Sequence, residues 1–158
     1  MYKPVKVLHI IGVIMFFGSI LGHAIAGVVS STSDSTQVLY TVREVIQTET
    51  YFLTIPGFIL FTITGFAMLL IGKLPIKKLR WLAVHVCLGT LVILNAVFIL
   101  LPVGAEILEV SQNMVIGTES MEYFHQLKNK EAIFGALNIT SCLVLVALAV
   151  IKPKLGAK

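Results

Sequence analysis

The sequence predicts an all-α fold, an integral membrane four-helix bundle running up-down-up-down, and three observations carry that prediction. The chain is 57% hydrophobic with a mean hydropathy of +0.95, well above the range of soluble domains. Its apolar residues gather into four stretches, about residues 5–29, 51–72, 81–103 and 132–151, each close to the roughly 20 residues that cross a hydrocarbon core as a helix. Its charges separate by connection. Lys3, Lys6, Lys73, Lys77, Lys78, Arg80, Lys152, Lys154 and Lys158 occupy the N-terminus, the middle connection and the C-terminus, where no acidic residue occurs. All 8 carboxylates lie in the other two connections. The positive-inside rule then places both termini in the cytoplasm. At 158 residues the chain has room for a single transmembrane domain, residues 1–158, and no soluble one. The net charge of +4 follows from this asymmetry, so the expected partner is the lipid bilayer and not nucleic acid.

The elements can be justified in order. The first stretch, Val5 to Val29, ends on Ala24-Ile25-Ala26 like a signal peptide, but its apolar core is longer than a usual signal core and retention is expected. Gly18 and Gly22 form a GxxxG pair that predicts close helix packing. Ser30 to Ser35 is rich in cap-forming residues, after which Thr36 to Thr50 runs helically into the second span. There Pro56 removes a backbone donor and predicts a kink, and Gly57 and Gly65 thin the helix. Lys73 to Arg80, with Pro75, reads as a tight turn. The third span carries Pro102 near its outer end, and Glu106 to Asn113 extends it. Glu119 to Glu131 leads into the fourth. The helices are therefore expected to extend beyond the outer membrane surface, by roughly one to three turns each. Cys87 and Cys142 lie within spans, where a reduced, buried, apolar role is expected.

Ionisable groups inside spans point to function. His9 and His23 are fourteen residues apart, which returns to within about 40° of the same helix face and separates them by about 21 Å. Gly12, Ser19 and Gly27 share that stripe. His85 follows the cytoplasmic boundary of the third span by five residues and His9 follows Lys6 by three, so the two imidazoles are expected in one layer on diagonal helices. A haem b held between diagonal helices takes one axial imidazole from each, with Gly12 and Gly89 making room for the ring. His9 and His85 are thus the expected iron ligands. Hydrogen bonding across the bundle is the competing role for the pair.

His23, near the outer interface, serves a second haem only if it finds a partner such as Met121 or a helix bent to bring in His125. Glu119, Glu122 and His125 align along one helix, but an exposed solvated face is the expected reading of that segment. Arg43 is a candidate anchor for a propionate or other anion, with a surface ion pair to Glu44 or a helical neighbour as the alternative.

Three segments carry a resemblance. Leu8 to Gly22 resembles the first helix of a bacterial family catalogued only as predicted integral membrane proteins. Tyr51-Phe52-Leu53-Thr54-Ile55-Pro56, with Gly65 nine residues on, resembles its second helix, and Trp81 leading to Pro102 its third. The first two are also similar, more distantly, to membrane-bound protoporphyrinogen oxidases of the HemJ type and to copper-resistance-D type membrane proteins. In the oxidase family a histidine matching His9 is associated with haem b, and a lysine four residues after a helix-three tryptophan is important. That position here is His85, counted from Trp81, and His23-Ala24-Ile25 stands where that family has Leu-Pro-Arg. The resemblance implies a multi-pass protein of the bacterial inner membrane.

Together these readings predict one haem b, or two if His23 is matched, in electron transfer or in oxidation of a lipid-soluble or porphyrin-like substrate. A quinone, a porphyrin, a redox partner protein or a second copy of the chain is the partner such a centre implies. The rival classes are a copper or small-ion transport component, against which the scattered Cys and Met residues weigh, and a membrane scaffold subunit with structural histidines.

Overall fold

Polar residues at the ends of the apolar stretches act as helix stops. The computed structural model describes residues 2–72 and 79–153; the expected tight turn at Lys73 to Arg80 lies mostly outside them, as do Lys154 and Lys158. Among the described residues the chain is all-helical: α1 (Tyr2–Ser30), α2 (Thr36–Ile71), α3 (Arg80–Val115) and α4 (Met121–Ile151). At the end of α1 the hydroxyls of Ser30, Ser31 and Thr32 donate back to the carbonyls of Gly27, Val28 and Val29 at 2.7–2.9 Å, satisfying groups the helix leaves orphaned. Gly117, at φ 77, closes α3 with bonds from its own N–H to Met114 and from Thr118 N–H to Asn113, a Schellman stop that needs a left-handed residue. Ser120 caps α4 by accepting from Tyr123 N–H, and Pro153 follows its end.

Helices α2 and α3 cross two prolines without breaking. The residue before each proline reaches one step further back than in an α-helix, Ile55 N–H to the Thr50 carbonyl and Leu101 N–H to the Ala96 carbonyl. The resulting π turns, Thr50–Thr54 and Ala96–Leu100, absorb the donors that Pro56 and Pro102 lack. They sit at nearly equal depth, 14 residues of α2 and 15 of α3 separating them from the same end of the bundle. The expected kinks are thus π turns.

All four helices are long and apolar enough to cross a membrane, and no more than 22% of any span is buried inside the protein. Ile14, Val28, Phe66, Leu70 and Val150 are exposed on the outer surface of the bundle. Such a surface is suited to lipid.

Inside, two apolar clusters are stacked. One, toward the end with the 31–35 and 116–120 connections (the acidic end), holds Leu39, Val103, Ile107, Val110, Met114, Phe124 and Leu127. The other, toward the end with the chain termini (the basic end), holds Phe16, Ile20, Val92, Ala96 and Cys142. In the acidic half α2 packs on α3 and α3 on α4. In the basic half α1 packs on Ile55–Ile71 and α4, and α4 on Arg80–Asn95, but Ile55–Ile71 and Arg80–Asn95 have no packed interface with each other. The bundle is therefore parted between α2 and α3 on that side.

The closest helix contact is not the expected one. A Cβ at Gly12 would stand 2.6 Å from the Phe61 nitrogen, and one at Gly57 would stand 2.7 Å from the Phe16 nitrogen, so α1 and α2 meet backbone to backbone there. The GxxxG pair does something else: Gly18 faces open space and Gly22 faces the Glu49 carboxylate. Cys142 is buried as expected, whereas Cys87 is exposed, because its face of α3 points away from the bundle.

Candidate functional site

His9 lies in the basic half with its ring edge-on to Phe61. Its Nδ1 is 3.0 Å from the Phe61 carbonyl and 3.2 Å from Thr64 Oγ1. A carbonyl only accepts, and the Thr64 hydroxyl already donates to the Leu60 carbonyl, so Nδ1 carries the proton and donates. Nε2 is left with a lone pair and no hydrogen-bond partner among the described residues. Gly65 makes this possible, since a Cβ there would stand 3.3 Å from His9 Cε1. An imidazole oriented through Nδ1–H to a carbonyl, with Nε2 free, is the arrangement of a metal-ligating histidine.

His85 stands in the same layer. The two imidazoles are close enough for the charge of one to act on the other. Packing gives the same register: Phe16 and Ile20, seven and eleven residues past His9, share a cluster with Val92 and Ala96, seven and eleven past His85. His85 Nδ1 is buried beside the Leu145 carbonyl without a partner at hydrogen-bonding geometry. Gly89, one turn on, faces open space. Gly12 does not have that freedom, because the backbone of α2 fills the room expected beside it.

The acidic half holds a denser polar group that sequence reasoning missed. His23 Nε2 lies 3.2 Å from Ser19 Oγ and 3.6 Å from Glu49 Oε2. Ser19, 2% exposed, meets Thr54 Oγ1 at 2.5 Å, the hydroxyl that the π turn of α2 presents to α1. Neither expected second ligand joins His23: His125 is exposed on α4, and Met121 packs against the apolar cluster of that half. The i, i+4 spacing of Ser19 and His23 was the available signal.

Arg43 corrects another expectation. It is 2% exposed and pairs with Glu131, 2.8 Å from Nη1 to Oε2, whereas Glu44 stays at the surface with Tyr40. Its guanidinium and the Lys128 ammonium both lie over the Phe124 ring, and Lys128 donates to the Gly27 carbonyl and Ser30 Oγ. Nearer the middle, Asn95 Nδ2 donates to Asn138 Oδ1 at 2.7 Å and to the Phe134 carbonyl, tying α3 to α4. Glu119 and Glu122 are exposed with His125, and among the described residues no three His, Cys, Asp or Glu side chains converge as a metal-binding set.

Four lipid-suited helices around an interior layer of imidazoles agree with the one family comparison that matches, whose model, described as predicted integral membrane protein (DUF2269), covers residues 3–153. The chain belongs to that family. No curated protein and no solved structure matches this DUF2269 member.

Proposed function

We propose that this family member binds one haem b between His9 and His85 and works in electron transfer or as an oxidoreductase on a lipid-soluble substrate. The observation that carries the reading is the His9 ring, whose Nδ1–H is fixed by the Phe61 carbonyl while Nε2 is left free. The fit to a haem rests on three further features: the charge coupling of His9 to His85, the unpartnered His85 Nδ1 and the open space at Gly89. His9 and His85 would hold the iron, and the group would supply one-electron chemistry. Thr64 and the Phe61 carbonyl hold the His9 ring against rotation, and Gly65 clears its edge. The distant likeness to HemJ-type oxidases, through His9 and the Trp81 to His85 spacing, supports a haem over the copper-transport reading. The parted face between α2 and α3 is the side from which a quinone or porphyrin in the bilayer would approach. A second haem at His23 has less support, since Ser19 and Glu49 engage that imidazole. The charge asymmetry supports a bacterial inner membrane location with both termini cytoplasmic.

Protein purified in detergent from haem-replete cells is expected to show Soret and α bands that sharpen on dithionite reduction. His9→Ala and His85→Ala should each abolish or strongly alter them. An unaltered spectrum at full haem content in the double variant overturns the proposal.

A further inference from the structure

We infer that Glu49 and His23 form a proton-exchange site open to the acidic end of the bundle, with Ser19 and Thr54 as its inward extension. The pair is placed where an imidazole and a carboxylate have few neighbours to neutralise them. Glu49 Oε2 is covered and makes no hydrogen bond, and its one ionisable contact is His23 Nε2 at 3.6 Å. The remaining chain is continuous, Nε2 to Ser19 Oγ at 3.2 Å and Ser19 Oγ to Thr54 Oγ1 at 2.5 Å.

One direction of hydrogen bonding satisfies all three groups: Thr54 donates to Ser19, Ser19 donates to Nε2, and the imidazole keeps its proton on Nδ1. Access is through a shallow groove between α1 and α2, walled by Gly22, Ile25, Ala26, Val42 and Val45, with Glu49 on its lining. Two features mark the place as built for this: the bare Gly22, whose Cβ would stand 3.1 Å from the Glu49 carboxylate, and the π turn that begins at the next residue.

The charges that face the pair are Arg43 on α2 and Glu131 on α4, with Lys128 also on α4. With a neutral imidazole the four formal charges, Arg43, Lys128, Glu49 and Glu131, cancel. Uptake of one proton at the Glu49 carboxylate from water at the acidic end, and its transfer to Nε2, turns a neutral cluster into one carrying a single positive charge. Release reverses the same two steps. The site is independent of any haem at His9 and His85.

A lipophilic carbodiimide tests this on the full chain in oriented vesicles, because it adds to protonated carboxyls reached from apolar surroundings. Mass spectrometry is expected to find the adduct on Glu49, increasing as pH is lowered on the acidic-end side and indifferent to pH on the other. His23→Asn should raise Glu49 labelling several-fold at one fixed pH, because the carboxyl loses the base that takes its proton; Ser19→Ala should leave the labelling in place. No adduct at any pH, dependence on the opposite compartment, or labelling indifferent to His23→Asn overturns the proposal. The first two outcomes are read on the unaltered protein and do not depend on a variant folding.

Discussion

In the basic half His9 and His85 meet across the bundle with carbonyls and a hydroxyl for company; in the acidic half His23 lies beside Glu49, within the field of Arg43 and Glu131. The basic half is also apolar and parted between α2 and α3, whereas the acidic half is knitted by ion pairs across α2 and α4. One residue type thus takes two characters. Where neighbours only accept from one ring nitrogen, the other is kept as an electron-pair donor, suited to a metal; where a carboxylate faces the ring, the imidazole is suited to holding a proton.

The largest effect that would break this comparison is expected at Gly57. Gly57→Leu places a side chain where the backbone of Phe16 stands 2.7 Å from the first added atom, so α1 must separate from α2 and take His9 with it. The cost should exceed the about 1–3 kcal/mol of ordinary overpacking, because the obstacle is main chain. Thermal unfolding in detergent should show the loss, with haem content, where present, falling alongside. Gly18→Leu, facing open space, is the matched control.

Glu131→Gln and Arg43→Met sharpen the other side of the comparison. Breaking a buried pair leaves a charge uncompensated, and Arg43 is 2% exposed while the Glu131 side chain is 26% exposed and can hydrate. Glu131→Gln is therefore expected to destabilise by about 2 kcal/mol, somewhat below the figure for fully buried pairs. Arg43→Met should cost less, and the double variant less than Glu131→Gln alone. Chemical unfolding of the three variants checks the order; equal costs would mean that Arg43 is hydrated in the folded protein.

The smallest effect belongs to Thr64→Val. It removes one of two acceptors at His9 Nδ1 and leaves the Phe61 carbonyl, so a change of about 0.5–1 kcal/mol is expected with the same tautomer. Nitrogen NMR of the labelled imidazole should still find the proton on Nδ1. Its movement to Nε2 would remove the feature that separates His9 from His23.

What could be read in advance was what repeats along the chain. The four spans, their extension beyond the apolar stretches and the shared layer of His9 and His85 come from length, hydropathy and counting from one membrane boundary. Contacts between helices were out of reach by that route. Arg43 and Glu131 are 88 positions apart, and only the rotation of α2 and α4 about their own axes decides that they meet inside and not in water. The glycines failed for the same reason. Gly18 and Gly22 have the spacing of a close-packing pair but the wrong phase toward α2, while Gly12 finds its match in Gly57 on another helix.

The π turn of α2 has a consequence for insertions and deletions. Removing one residue from Thr50–Thr54 would let the helix continue in plain α form and swing everything after it by about 100°. Glu49 would keep its place against α1 while Phe61 and Thr64 turned away from His9. The extra residue thus acts as a phase shifter, letting one continuous helix address α1 with a carboxylate in one leaflet and a carbonyl in the other. Length changes in that turn should uncouple the two halves more cleanly than a substitution at either.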